Sequence, residues 1–395
     1  MEKFFLHNIL GKMTGKAFSV QYWDGTVENY GTGKPRFKII FYQPIPKSKL
    51  LKDISLALGE AYMDGIIDFE GDIQEIIETA YQGGDLLMSK KSFKGIKNLF
   101  SREKSSTSIT QQKKDIQHHY DLGNDFYELW LDETLSYSCA YFKSAQDSLY
   151  QAQLQKIDHT LKKLQLKPGE TLLDIGSGWG WLIIRAAQQY RVQSFGITLS
   201  EEQYKKTKER IEELGLTGQV GVEVADYRTL GERGKKFDKV VSVGMVEHVG
   251  YANLPKYYEA VSKLLTPGGL SLLHCITGQI EGPCNKWIQK YIFPGGYIPS
   301  IRQLISLLPD YDYHLIDVES LRLHYAQTLD HWARNFEKNV DTVRNKYGDR
   351  FVKMWRLYLN SCAASFRSSG LDIHQILFSK GLNNSLALTR DYLYH

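Results

Sequence analysis

Five polar residues, Asp174, Thr198, Asp226, Glu247 and His274, stand at or just past the ends of short apolar runs. Together they offer carboxylates, a hydroxyl and an imidazole, the groups that bind charge and move protons. Beside the first of them lies TLLDIGSGWGWL, Thr171 to Leu182, with glycines at 176, 178 and 180. Glycines at that spacing let a backbone turn sharply and approach a ligand closely. The pattern is G-x-G-x-G rather than the dinucleotide fingerprint G-x-G-x-x-G, so taken alone it names no ligand. Asp174 can order this turn or bind a charged group.

The elements that must hold these groups alternate in type. Apolar runs predict strands over Thr171–Ile175, Val192–Thr198, Val220–Ala225, Phe237–Val243 and Leu270–Cys275. Helical stretches are expected over Leu149–Leu164, Leu182–Gln189, Ser200–Leu214 and Leu254–Leu264, with Pro267-Gly268-Gly269 turning into the last strand. Ser200 followed by Gln203 reads as a capping box. Strands alternating with helices imply an α/β domain with a doubly wound, mostly parallel sheet. Ligands in such sheets bind beyond the carboxyl ends of the strands, so the five polar residues would share one rim.

The flanking sequence differs. Residues 1–88 read as a smaller α+β domain: a hairpin over Phe18–Tyr30 around Asp24-Gly25, strands over Phe37–Tyr42 and Ile66–Phe69, and helices over Ser48–Tyr62 and Ile73–Tyr81. No catalytic constellation is visible there, so a scaffold, docking or lipid-contacting role is expected. Residues 89–114 form a basic linker ending in SSTSITQQ. Its first part places Phe93, Ile96, Leu99 and Phe100 along one helical side among Lys90, Lys91, Lys94 and Lys97. Two readings stay open: a basic segment lying on an anionic bilayer, or a solvated linker helix. The catalytic domain is expected over 115–395. Within it, Gly282–Ser300 suits a lid or pocket wall, and helices are expected over Arg302–Leu308, Ala326–Asn345 and Gly348–Arg367.

Composition limits the function classes. The chain has 395 residues, 42% of them hydrophobic, with 25 Tyr and 17 Phe, enough for two packed domains and an apolar pocket. A formal net charge of +4 is too weak to argue for nucleic acid and is compatible with an anionic surface. The four cysteines include no C-x-x-C pair, which points to a reducing compartment and neither a zinc site nor a disulfide framework. His118, His119 and Tyr120 lack a downstream partner at metal-ligand spacing, so no metal is expected. The first residues lack a signal-peptide pattern, and no apolar run of membrane-spanning length occurs.

Several separated motifs then resemble one family. HHYDLGNDFYELWLDETLSYSCAYF, LLDIGSGWGWL, GITLSEEQ, FDKVVSVGMVEHVG, LLHCITG, IFPGGYIPS and HYAQTLDHW recur in the order found in the cyclopropane fatty acid and mycolic acid cyclopropane synthases. The resemblance covers about 117 to 335 and departs at Ser177, where the family usually has Cys. The preceding domain is similar to that of the bacterial enzymes acting on membrane phospholipid. The resemblance implies a Rossmann-like S-adenosylmethionine methyltransferase domain. It places Tyr137 and Ser138 near the cofactor's methionine end, Gly176 and Gly178 at the turn, Thr198 and Gln203 near the ribose, and Asp226 and Tyr227 near the adenine. Gln203 keeps its second reading as the capping-box residue.

The same resemblance implies a reaction. The sulfonium makes the cofactor's methyl electrophilic, a cis double bond of an acyl chain attacks it, and a base removes a proton from the added carbon as the cyclopropane closes. That base is expected to be bicarbonate, caged by Cys139, Glu247, His274, Ile276 and Tyr325, with Cys139 and Ile276 contributing backbone groups. Tyr325, Tyr137 and Tyr297 could steady the cation with their ring faces. Taken singly, His274 reads as a satisfied core histidine and Cys139 as a small packed thiol, and their place in the family's motifs moves both to the site; His248, His324, Asp174 and Trp179 are read as structural. The expected partners are phospholipid acyl chains at the bilayer surface. The protein is expected to be cytoplasmic and peripheral on the inner face of the membrane; the resemblance suggests a homodimer through the N-terminal domain, and the residues leave the oligomeric state open.

Overall fold

The computed structural model describes residues 2–13, 15–83 and 122–394. The basic linker and His118, His119 and Tyr120 lie outside them.

The chain divides into two compact units. The first contains the N-terminal residues, and its sheet runs β2 (Val27–Tyr30), β1 (Phe18–Gln21), β3 (Phe37–Phe41), β4 (Ile67–Glu70). The hairpin forms as its sequence predicts. Asp24 Oδ1 accepts from Thr26 N at 3.0 Å, and Gly25 adopts φ +81°. A helix over Glu2–Leu10 was not expected. The single helix expected over Ser48–Tyr62 is two, Lys47–Lys52 and Ile54–Met63. Extended Asp53 (φ −165°) separates them and caps the second by accepting from Leu56 N at 2.9 Å.

The units are not contiguous in sequence. Residues 284–294 and 329–370 group with the N-terminal residues. Their helices are bonded there: Trp287 Nε1 donates to Met63 Sδ at 3.3 Å, Arg350 pairs with Asp64 at 2.9 Å, and Tyr81 and Ser365 share a 2.9 Å hydrogen bond. Thus Gly282–Ser300 is no simple lid: it contains the Lys286–Tyr291 helix and the short pair β10 (Gly282–Pro283) and β11 (Tyr297–Ile298). The helix expected over Ala326–Asn345 is also two, Arg322–Lys338 and Val340–Tyr347.

The second unit is the α/β domain. Five parallel strands, β9 (Leu265–Gly278), β8 (Phe237–Val243), β5 (Thr171–Ile175), β6 (Gln193–Thr198) and β7 (Val220–Val224), lie in that order. Two strands missing from the sequence reading extend the β9 edge: β13 (Leu371–Lys380) antiparallel to β9, then β12 (Tyr313–Ser320) antiparallel to β13. Pro267-Gly268-Gly269, expected as a turn before the strand, is an irregularity inside β9, where the register shifts against β8. The core is apolar on both sheet faces, as parallel strands require.

Candidate active site

The glycine turn shapes the first half of the site. Gly176 leaves β5 at φ +84°, and a Cβ there would lie 3.2 Å from the Met245 side chain. Gly180 caps the Trp181–Tyr190 helix in a left-handed conformation, with Thr207 Cγ2 only 2.3 Å from where a Cβ would stand. Ser177 keeps the turn closed, since its backbone N–H donates to Ile197 O at 3.0 Å.

A cavity opens above this turn. All eight residues expected at the cofactor line it: Tyr137, Ser138, Gly176, Gly178, Thr198, Gln203, Asp226 and Tyr227. Asp174, Trp179 and His248, read from the sequence as structural, line it too. Tyr137 is fixed by aromatic neighbours, edge-on to Trp130 at 5.3 Å and tilted against Tyr127 at 5.6 Å. Tyr297 is not on this wall; its hydroxyl donates to Gln303 at 3.0 Å.

Gln203 resolves its two readings. Ser200 caps the helix by accepting from Gln203 N at 3.3 Å, but the return bond of a capping box is absent. The Gln203 side chain instead accepts from Thr198 Oγ1 at 2.7 Å on the cavity wall. Asp226 is held the other way. It caps an unexpected helix, Tyr227–Glu232, and its Oδ1 accepts from Arg228 N at 2.9 Å and Nε at 2.8 Å. Its second oxygen accepts from Arg228 Nη2 at 2.6 Å, so the carboxylate is rigid where it faces the cavity.

The cavity suits a ligand with a charged, compact end. Asp174 is 3% exposed, its Oδ1 has no hydrogen-bond partner, and burial pushes its carboxyl up to about 7 against the pull of Lys156. An unpartnered buried carboxylate beside a glycine turn fits the aminoacyl end of S-adenosylmethionine.

The second half of the site is built by strand pairing. Gly244 N donates to His274 O at 2.8 Å, which joins the end of β8 to β9. The chain then turns through Val246–His248, and Glu247 Oε1 accepts from Ile276 N at 2.7 Å. The Ile276 amide is thus already engaged by Glu247. Glu247 Oε2 is buried and unpartnered, and burial pushes this carboxyl up to about 7, opposed by the Ile276 N–H.

His274 is fully buried. Gln375 Nε2 donates to its Nδ1 at 3.2 Å and to Thr160 Oγ1 at 3.2 Å, while Thr160 donates to Lys156 O at 2.8 Å. An acceptor at Nδ1 leaves the ring proton on Nε2, which has no partner. Burial, reinforced by the Lys156 and Lys163 cations, holds His274 far below its ordinary value and therefore neutral. The two orphaned atoms are an N–H donor and a carboxyl oxygen, each of a kind that a small oxyanion engages, while Cys139, Glu247, His274, Ile276 and Tyr325 are not among the residues lining the cofactor cavity.

Cys139 enters from a loop. Ala140 N donates to Thr328 Oγ1 at 3.0 Å, and Cys139 Sγ reaches Ala140 O at 3.2 Å and Leu321 O at 3.9 Å. Tyr325 N donates to the same Leu321 carbonyl at 3.1 Å. Burial raises the Cys139 thiol far above its ordinary value, so it is no thiolate nucleophile.

Sequence reasoning missed one helix face. Gln153, Lys156, Thr160 and Lys163 on the Leu149–Lys163 helix are buried although polar. Gln153 Nε2 donates to Ser136 O at 3.3 Å and Ser138 O at 2.9 Å, and Lys163 pairs with Glu319 at 2.6 Å. Their i, i+3, i+7, i+10 spacing along one helix face was the available signal, and Lys156 of this face lines the cavity. Gln375 was missed with its whole strand.

Comparison with known proteins gives a consistent result. A family model described as mycolic acid cyclopropane synthetase matches residues 107–376, and a model for a domain of unknown function, DUF7884, matches 5–92. Cyclopropane-fatty-acyl-phospholipid synthase of Escherichia coli (strain K12) is 38% identical over 355 residues, 87% of either chain. Tuberculostearic acid methyltransferase UfaA1 of Mycobacterium tuberculosis is 34% identical over 373 residues, 90% of this chain and 86% of that one. The crystal structure of mycolic acid cyclopropane synthase CmaA1 complexed with SAH and CTAB aligns with TM-score 0.64 and 34% identity, covering 68% of this chain and 98% of that one.

Proposed function

As the chain belongs to the mycolic acid cyclopropane synthetase family, we propose that it is an S-adenosylmethionine-dependent cyclopropane-fatty-acyl-phospholipid synthase. It adds one methylene across the cis double bond of an unsaturated acyl chain of a membrane phospholipid. S-adenosylmethionine, when bound, supplies an electrophilic methyl carbon. The residues of the cavity hold that end still: Tyr137 and Ser138 from one loop, Gly176 and Gly178 from the turn, and Thr198, Gln203, Asp226 and Tyr227 along the nucleoside.

Cys139, Glu247, His274, Ile276 and Tyr325 would hold bicarbonate, which supplies a proton acceptor. The observation that supports this reading is that Glu247 Oε2 and His274 Nε2 are each buried with no hydrogen-bond partner. A neutral His274 donates without competing for the proton. Glu247, raised toward neutrality by burial, shares a proton with the anion instead of repelling it. The burial of both groups excludes water that would quench a cation.

Among the described residues no helix is long and apolar enough to cross a membrane. The proposal includes peripheral docking on the inner face of the cell membrane from the cytoplasm, as expected of an enzyme acting on phospholipid acyl chains, and a homodimer, which light scattering tests. A second reading, methyl branching without ring closure, is favoured by the 34% identity to a tuberculostearic acid methyltransferase.

One experiment separates these. The protein is incubated with S-adenosylmethionine, bicarbonate and vesicles of monounsaturated phospholipid, and the acyl chains are analysed by mass spectrometry and proton NMR. One added methylene with cyclopropyl ring protons is expected. A branched methyl or an exocyclic methylene supports the second reading. Unchanged acyl chains with folded protein that binds S-adenosylhomocysteine overturn both.

A further inference from the structure

We propose that Lys156 binds the α-carboxylate at the methionine end of the cofactor, with Ser138 holding its ammonium in position. The inference deepens the cofactor reading and rests on it.

Lys156 is 4% exposed, yet it lines the cavity. Its Nζ donates to Ser138 Oγ at 2.9 Å, and among the described residues no carboxylate lies within ion-pair distance. An ammonium carries three N–H donors, so two remain for whatever fills the cavity. A buried cation without an anionic partner is costly, and the cost is relieved when an anion binds. Burial lowers this ammonium to about 8, while the Asp132 and Asp174 carboxyls pull it back toward the charged form. Asp132 is already satisfied by Thr134, whose N and Oγ1 donate to it at 3.1 and 3.0 Å.

Position selects the carboxylate among the cofactor's groups. Tyr137, Ser138, Asp174 and the glycine turn line the same cavity as Lys156, and Ser138 is bonded to it directly. The Thr198, Gln203 and Asp226 wall has its own polar partners. The methionine end carries a carboxylate and an ammonium, and this part of the cavity holds one buried cation and one buried carboxylate. The helix enforces the placement: Gln153, one turn before Lys156, ties down the Ser136 and Ser138 carbonyls.

The test uses two ligands that differ only in this group, S-adenosylmethionine and decarboxylated S-adenosylmethionine. Binding to the full-length protein is measured by calorimetry without lipid, with and without bicarbonate. Lys156→Met is expected to weaken S-adenosylmethionine by about 10- to 100-fold, the range of a charge-assisted hydrogen bond, and the decarboxylated compound by less than about 3-fold. Equal loss for both ligands, or for neither, overturns the proposal. So does a loss confined to the bicarbonate-containing samples, which would assign Lys156 to that anion.

If Lys156→Met does not fold, wild type still decides. The preference for the carboxylated ligand should fall as pH rises from 8 to 10 and the ammonium deprotonates, and a pH-independent preference overturns the assignment. Asp132, Asp174, Cys139 and His274 also surround this lysine, but burial leaves both carboxyls titrating below pH 8 and keeps the thiol and the imidazole neutral through pH 10, so none of them changes charge in this window. Wild-type protein that binds neither compound overturns the cofactor reading itself.

Discussion

The cofactor cavity and the Glu247–His274 site share one edge of the same sheet, but they are assembled differently. The cavity is made mostly from contiguous stretches, 134–138, 174–179, 197–199, 225–227 and 243–245. The second site takes single side chains from β9, from the turn after β8 and from the Cys139 loop, and it is held by Gln375 from β13 and Thr160 from a helix. A pocket built from contiguous loops depends on the conformation of those loops. A site built from single buried polar atoms depends on each atom and on its protonation.

This difference predicts a crossed result. His274→Ala should lower turnover by roughly 100- to 1000-fold, the loss of one positioned donor beside a reacting centre, with unchanged affinity for S-adenosylhomocysteine. Gly176→Val should do the reverse. At φ +84°, with Met245 3.2 Å from the new Cβ, it should weaken S-adenosylhomocysteine by about 10-fold or more through strain of ~1–3 kcal/mol, while bound enzyme turns over. Calorimetry and acyl-chain analysis of both variants check this. If both variants lose affinity, the two halves are one site and the contrast fails.

Protonation supplies the next test. Glu247 is raised from 4.5 to about 7 in the folded protein, chiefly by burial. The folded state therefore holds this proton where the unfolded chain has lost it, and the stability cost is absent below the unfolded value, grows as pH rises toward 7 and is complete above it. Glu247→Gln removes that cost and keeps an acceptor for Ile276 N. Relative to wild type, the variant should gain roughly 2–3 kcal/mol between pH 5 and pH 8. Asp174 and Asp132, also raised by burial, titrate in both proteins and cancel. Paired urea titrations at the two pH values measure the difference, and an equal gain at both would leave Glu247 without a special environment.

The contrast also explains what was legible. Contiguous parts announce themselves: the glycine turn and the apolar runs gave all five parallel strands, and every expected cofactor residue lies on the cavity wall. Antiparallel β12 and β13 did not. In LDIHQILFSK, Gln375 and Ser379 are buried beside Leu377 and Phe378, so neither a continuous apolar run nor an apolar–polar alternation marks the strand. Lys156 was hidden for a similar reason. A lysine on an amphipathic helix reads as solvent-facing unless the ligand that draws it inward is already known. Cys139, Glu247, His274, Ile276 and Tyr325 were reached through resemblance, because no spacing rule connects positions 139, 247, 274 and 325.

Gln375 gives the smallest and most discriminating effect. It touches no expected ligand residue except through His274, so its role is positioning. Gln375→Leu removes the N–H that occupies His274 Nδ1, and the neutral ring then divides its proton between both nitrogens. Turnover should fall by only about 3- to 10-fold, because the productive tautomer remains populated. The acid limb of the pH–rate profile should move to higher pH, since Nδ1 becomes free to take a proton. Gln375→Glu makes the opposite demand: a carboxylate accepts from Nδ1–H and forces the lone pair onto Nε2, removing the orphaned N–H donor. It should be worse than leucine, although it is closer to glutamine in shape. If Gln375→Glu retains more activity than Gln375→Leu, the residue merely fills space, and the difference between the two halves of the site narrows to geometry alone.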